Sequence, residues 1–269
     1  MIELVALDLD GTLIDGSLTL SPAVRGSVER AMQQGVKVVI VTGRMFVAAR
    51  PFALQLHLQG PMVCYQGAAI YDIESARIIR ETPLPNAVAL RVYEIAKAAG
   101  VHVQMYADDR FFVEENNRYA ALYASLSRED PVVVASLAQT FAQRDSTKVV
   151  LVTEPEHAVT LMADLQARLG DQAYVTRSQA EFIEVLSPRV NKGEALRFVA
   201  QQLGVPMDRT VAVGDSYNDL PLLEAAAVGV AMGTAPAELK ERADAVVPDV
   251  AHDGVAEAIE RFVFAGERV

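Results

Sequence analysis

The sequence predicts an α/β protein: a doubly wound parallel sheet whose chain is interrupted by an α+β unit. Three observations carry that reading. Short apolar, β-branched runs alternate with stretches of helical spacing at both ends of the chain, as β-α-β units with right-handed crossovers require. Between residues 84 and 187 the pattern changes to paired strands around polar turns, the mark of an antiparallel sheet. The 269 residues suit one large domain or two small ones, and at 51% hydrophobic they are ample for a packed core.

Ile2 to Leu7 is nearly all apolar, as a strand covered on both faces should be. Ser21-Pro22 then opens a helix, with Ser as the N-cap and Pro at the first helical position. Val24, Val28 and Met32 recur at helical spacing, and Gly35 ends the helix. Val36 to Val41 predicts a second strand, followed by a helix interrupted near Pro51 and a third strand over Met62 to Tyr65. The middle of the chain reads as helix, two strands, helix, strand, helix, two strands. One hairpin turns at Asp108-Asp109, and a second at Ser178-Gln179 between 173–177 and 182–186. Thr82-Pro83-Leu84-Pro85 and Ser187-Pro188 are the hinges. The division is therefore 1–83 with 188–269 as one domain and 84–187 as the insert. After it come a helix from Lys192 to about Leu203, a strand 210–213, a helix over about 219–227 and a strand 228–232. A helix 237–243, a strand 245–247 and a last helix 254–264 complete the chain.

Four signatures punctuate this frame. They are DLDGT with Asp8 and Asp10, VTGR with Thr42, Gly43 and Arg44, Lys192 before Gly193, and VGDSYND with Asp215, Asn218 and Asp219. Singly, each residue is an ordinary turn, cap or surface residue. Three of the signatures, however, follow apolar runs, and ligands of open α/β sheets bind at the carboxyl ends of strands. Asp8 and Asp10 need not point oppositely if Asp8 ends the strand and Asp10 begins the loop, with Gly11 turning the backbone closely. Carboxylates gathered there repel one another and raise each other's pKa. A hard dication with oxygen ligands, most simply Mg²⁺, resolves that conflict, and the hydroxyl and cations suit a phosphate.

Composition excludes several rivals. A formal charge of −11 without a Lys/Arg cluster argues against nucleic acid. It also repels anionic substrates at long range, so local cations must overcome it. Cys64 is the lone cysteine, which rules out an internal disulfide and reads as a small buried hydrophobe. The four histidines have no spacing suited to zinc. The acid-bearing N-terminal strand is not a signal peptide, and no apolar run would cross a bilayer. A cytoplasmic monomer or weak dimer is the expectation.

The ordered set resembles the haloacid dehalogenase (HAD) superfamily, and its layout resembles the Cof-type phosphatases, which carry an α/β cap between the second and third motifs. The resemblance spans nearly the whole chain. It includes Asn191-Lys192-Gly193, Val230-Ala231-Met232-Gly233 and Asp253-Gly254-Val255-Ala256. It implies a Rossmann-like core with an inserted cap. It further implies an Mg²⁺-dependent phosphomonoesterase acting on a small phosphate ester, most simply a sugar phosphate, with pyridoxal phosphate or flavin mononucleotide as alternatives. Asp8 would be the nucleophile and Asp10 the acid and base. Asp8, the Asp10 carbonyl, Asp215 and Asp219 would surround the metal. Thr42, Gly43, Lys192 and Asn218 would bind phosphate, Gln66 would reach the substrate, and Arg44 would meet either the substrate or the cap. Gln66 departs from the family's usual Asn by one methylene. Tyr106, Asp108, Asp109, Arg110, Tyr174, Arg177 and Glu184 are the candidates for choosing substrate from the cap. A phosphomutase, a non-catalytic phospho-ligand binder and a receiver-type signalling domain are the rival readings. The complete acid set favours hydrolysis over them.

Overall fold

In the computed structural model, which describes residues 1–267, β1 (Leu4–Leu7) is buried at every residue. Such a strand needs partners on both edges and cover on both faces. The chain leaves it through a loop to α1 (Pro22–Gln33). The Ser21 hydroxyl caps this helix by accepting from the Val24 amide at 3.1 Å, with Pro22 in the first turn. Next come β2 (Lys37–Ile40), α2 (Phe46–Gln55), β3 (Pro61–Cys64), β4 (Ala69–Asp72) and β5 (Ile78–Glu81).

Two expectations change here. The helix expected to break near Pro51 runs through it from Phe46 to Gln55, with Pro51 unable to donate to the Val47 carbonyl. The third strand is not a full member of the parallel sheet. β3, β4 and β5 form their own sheet in that order, with β3 and β4 antiparallel, and an isolated parallel bridge joins Val41 to Val63.

The insert begins with α3 (Asn86–Ala98), β6 (His102–Ala107), β7 (Arg110–Val113) and α4 (Arg118–Ser127). Two short elements without a sequence signal follow, β8 (Val132–Val133) and α5 (Leu137–Thr140). Then come β9 (Val149–Val152), α6 (Pro155–Leu169), β10 (Tyr174–Gln179) and β11 (Phe182–Leu186). The strands pair in the order β10-β11-β9-β6-β7-β8, antiparallel except for β7 with β8. Both expected hairpins form: the first turns on left-handed Asp108 and Asp109, and the second turns at Ala180-Glu181 rather than Ser178-Gln179, because β10 runs on through Gln179. Val103, Met105, Val149, Leu151, Ile183 and Val185 pack with Val92, Ile95, Leu161 and Leu165 of the helices. The intervening residues of β6, β9 and β11 turn the other way. There Lys148 Nζ donates to Glu184 Oε2 at 2.8 Å, both side chains buried.

The chain then builds α7 (Lys192–Leu203), β12 (Thr210–Gly214), α8 (Leu220–Ala225), β13 (Val228–Met232), α9 (Ala237–Arg242), β14 (Ala245–Val247) and α10 (Gly254–Ala258). The helix expected over 219–227 is shorter, because a 3₁₀ turn takes Tyr217–Asp219. The last helix winds on as π turns over Ile259–Phe264. The central sheet is all parallel, in the order β14-β13-β12-β1-β2. Two compact units result. One holds residues 1–43, 49–79 and 191 onward; the other holds 44–48 and 80–190. Among the described residues, no helix is long and apolar enough to cross a membrane.

The buried pair in the second unit yields a test. Lys148→Met removes the ammonium that faces the buried Glu184 carboxylate, which should cost roughly 3–5 kcal/mol in urea unfolding. Adding Glu184→Leu should restore most of that loss; a double variant as unstable as the single one would contradict the assignment.

Candidate active site

β1 and β12 lie in register, Leu7 beside Val213, so the residues that follow them leave the sheet side by side at its carboxyl edge. Asp8 stays anchored there by donating its amide to the Val213 carbonyl at 3.0 Å. Asp215 follows β12, and Thr42 follows β2 on the other flank of β1. Lys192 opens α7, whose cap is the Asn191 side chain accepting from the Glu194 amide at 2.8 Å.

Lys192 Nζ joins the motifs. It donates to Asp8 Oδ1 at 2.5 Å and to Asp219 Oδ1 at 2.6 Å, and all three side chains are buried. Asp219 uses its second oxygen as well: Oδ2 accepts from the amides of Asp215 and Ser216, each at 3.0 Å. Asp219 therefore fixes both the lysine and the loop that carries Asp215. Thr12 Oγ1 donates to Asp215 Oδ1 at 3.2 Å. Gly11, at φ +81°, lets the two loops close: a Cβ there would stand 2.1 Å from Asp215 Oδ2.

Carboxylate oxygens of Asp8, Asp215 and Asp219 lie within 4.8 Å of one another. Burial, and then the neighbouring Asp219, push the Asp8 carboxyl well above the usual range against the pull of Lys192. The same two causes push Asp215 up to about 7, with Lys192 and Thr12 opposing. Burial would strip the proton from Lys192, but Asp219 and Asp8 outweigh it, so the ammonium is held. Three carboxylates against one ammonium leave excess negative charge on hard oxygen donors, a set that fits a divalent cation.

Asp10 is not part of this trio. It sits in the half-exposed turn closed by the Gly11 amide donating to the Ile14 carbonyl at 2.7 Å. Thr42 is buried, and its carbonyl accepts from the Gln66 amide at 3.0 Å. Gln66 Oε1 accepts from Asn218 Nδ2 at 3.0 Å, while its Nε2 stands where a Cβ on Gly43 would be, 2.2 Å away. Arg44 groups with the second unit, one of the two placements expected for it, and its guanidinium donates to the Leu126 carbonyl at 2.8 Å. Of the specificity candidates, Glu184 is engaged by Lys148, and Asp109 accepts from the Phe46 and Val47 amides. Sequence reasoning gave no role to Thr12, although a hydroxyl directly after Asp-x-Asp-Gly was the available signal. It also gave no sign of the Gln66–Asn218 bond.

A family model for haloacid dehalogenase-like hydrolases matches residues 5–259. The chain belongs to that family. The HAD chain is 31% identical to pyridoxal phosphate phosphatase YbhA of Escherichia coli, covering 96% of this chain and 97% of that one. It is 29% identical to 5-amino-6-(5-phospho-D-ribitylamino)uracil phosphatase YcsE of Bacillus subtilis, covering 97% and 96%. A solved haloacid dehalogenase-like hydrolase from Bacteroides thetaiotaomicron superposes with a TM-score of 0.84 at 28% identity, covering 97% of this chain and all of that one. The fold is the expected α/β core with further sheets, and the enzyme is a HAD-type phosphatase.

The raised Asp215 carboxyl sets a pH test. Titrating near 7 rather than 3.8, it contributes stability in full below pH 3.8 and loses it as pH rises through 7. A divalent cation needs the deprotonated carboxylate and should restore what is lost. Thermal unfolding should therefore shift upward with MgCl₂ by more at pH 8 than at pH 5, and Asp215→Asn should remove most of the difference. Equal shifts at both pH values would count against a cation held by these carboxylates.

Proposed function

We propose that this HAD enzyme is an Mg²⁺-dependent phosphomonoesterase that hydrolyses small phosphorylated metabolites through an aspartyl-phosphate at Asp8. The observation that carries the reading is the Lys192 ammonium held between Asp8 and Asp219 at the carboxyl edge of the sheet. Because Lys192 holds Oδ1 of Asp8, the nucleophile is oriented and Oδ2 is the oxygen for phosphorus. The same ammonium offsets charge on the phosphoryl group as it moves to the enzyme. Asp10, one turn on and half-exposed, protonates the departing alcohol. It then takes a proton from the water that cleaves the acyl phosphate. Thr42 and the Leu9 and Asp10 amides donate to phosphoryl oxygens, and Asn218 orients the group.

Asp8, Asp215 and the Asp10 carbonyl would hold Mg²⁺, with Asp219 acting through Lys192 and the loop amides. When bound, the metal lets an anionic nucleophile approach an anionic phosphate and absorbs charge in the transition state.

Residues 1–83 with 188–269 carry this chemistry, and 84–187 choose the substrate. Sugar phosphates, pyridoxal phosphate and phosphorylated flavin precursors form the candidate class. The named activities of the two relatives support the latter pair.

Inorganic phosphate release from an aryl phosphate and from this panel, with Mg²⁺ or with EDTA, tests the reading. Asp8→Asn should lower kcat by about a thousandfold or more. Asp10→Asn should lower it by roughly 10²–10⁴-fold. Turnover that needs a sugar bisphosphate and frees no phosphate would instead establish a mutase.

A further inference from the structure

Three consecutive residues after β3 have left-handed backbone: Tyr65, Gln66 and Gly67, at φ +53°, +59° and +101°. Glycine adopts such values freely. A tyrosine and a glutamine hold them only where the surroundings over-determine the conformation, and such strain collects at functional sites.

Gln66 is held on three sides. Its amide donates to the Thr42 carbonyl, its side chain fills the space a Cβ on Gly43 would need, and its Oε1 accepts from Asn218 Nδ2. One fully buried side chain thus spans the turn after β2 and the turn after β12. The family's usual Asn, one methylene shorter, would not reach as far. The bond has a consequence for Asn218. It uses one of the two hydrogens on Asn218 Nδ2. Asn218 Oδ1 is buried with no hydrogen-bond partner, so the bond to Gln66 is what holds this carboxamide. Phosphoryl oxygens accept, so the second Nδ2 hydrogen is the one Asn218 can offer them.

We propose that Gln66 is a positioning residue: by accepting from Asn218 Nδ2 it fixes that carboxamide so that its second N–H meets a phosphoryl oxygen. This rests on the phosphomonoesterase reading above. Gln66 acts through Asn218, so its contribution should vanish when Asn218 is removed.

A double-mutant cycle on the inhibition constant of inorganic phosphate tests this, with KM and kcat measured alongside on an aryl phosphate. Gln66→Met keeps the length of the side chain but removes both polar atoms. It should raise the inhibition constant and KM about tenfold and change kcat by less than about threefold. In an Asn218→Ala background the same change should add less than about twofold. A full tenfold effect of Gln66→Met in the Asn218→Ala background would overturn the proposal. The wild-type protein supplies a check that needs no variant to fold. Phosphate should shift the side-chain amide resonances of Gln66 and Asn218 together, and movement of neither would equally overturn it. If wild type neither releases phosphate nor is inhibited by it, the phosphomonoesterase reading fails; if it turns over normally but the cycle is additive, only the role of Gln66 fails.

Discussion

A single buried ammonium, Lys192 Nζ, holds the carboxyl edge of the sheet together. Asp8, Asp215 and Asp219 converge there, and desolvated carboxylates at that spacing repel. Without the lysine, folding would have to protonate them or splay the loops apart. With it, Asp8 and Asp219 are drawn to one point and the Asp215 loop follows, because Asp219 also holds that loop by two amides. The balance is deliberately incomplete. Asp8 and Asp215 still carry raised pKa values, so the site remains short of positive charge. That deficit fits the site for a divalent cation. Breaking such a buried arrangement on one side costs far more than the net stability it contributes, so its retention reflects chemistry more than folding.

The rest of the unit positions this point. β1 sits between β12 and β2, so its own end and the ends of both neighbours open onto one edge. The residues after those three strands are Asp8, Asp215 and Thr42. Asn191 caps α7 so that Lys192 starts the helix rather than the loop before it, and Gly11 removes the one atom that would hold Asp215 off. Gln66 ties the flank carrying Thr42 to the loop carrying Asn218.

Much of this was legible in the sequence where the signal is local. A run of buried β-branched residues ending in an acid marks both a strand and the place where its end is used, so Asp8 and Asp215 could be read directly. Ser21-Pro22 announces its helix for the same reason. Lys192 carries no such mark: a helix-start lysine is ordinary, and only the ordered motifs single it out, because its partner Asp8 is 184 positions away. The bond from Asn218 to Gln66 spans 152 positions and leaves no periodic trace. β5 was invisible because it is exposed throughout, with no alternation to detect, and nothing in the sequence marked β4 (Ala69–Asp72). β3 reads as a parallel strand because burial looks alike in either sheet. Pro51 misled for a physical reason: the penalty of a helical proline, about 3 kcal/mol, is set against the burial of Phe46, Ala49, Phe52 and Ala53 on the same helix.

If Asp8, oriented by Lys192, takes the phosphoryl group, it carries a covalent phosphate during turnover. Mass spectrometry on the Asp10→Asn variant, acid-quenched during turnover of an aryl phosphate with Mg²⁺, detects that adduct. One phosphoryl group should appear on the N-terminal peptide, located at Asp8 and lost on mild alkaline or hydroxylamine treatment. Phosphate release in wild type with no phosphoryl adduct in the variant, or an adduct on any other residue, would contradict that role for Asp8.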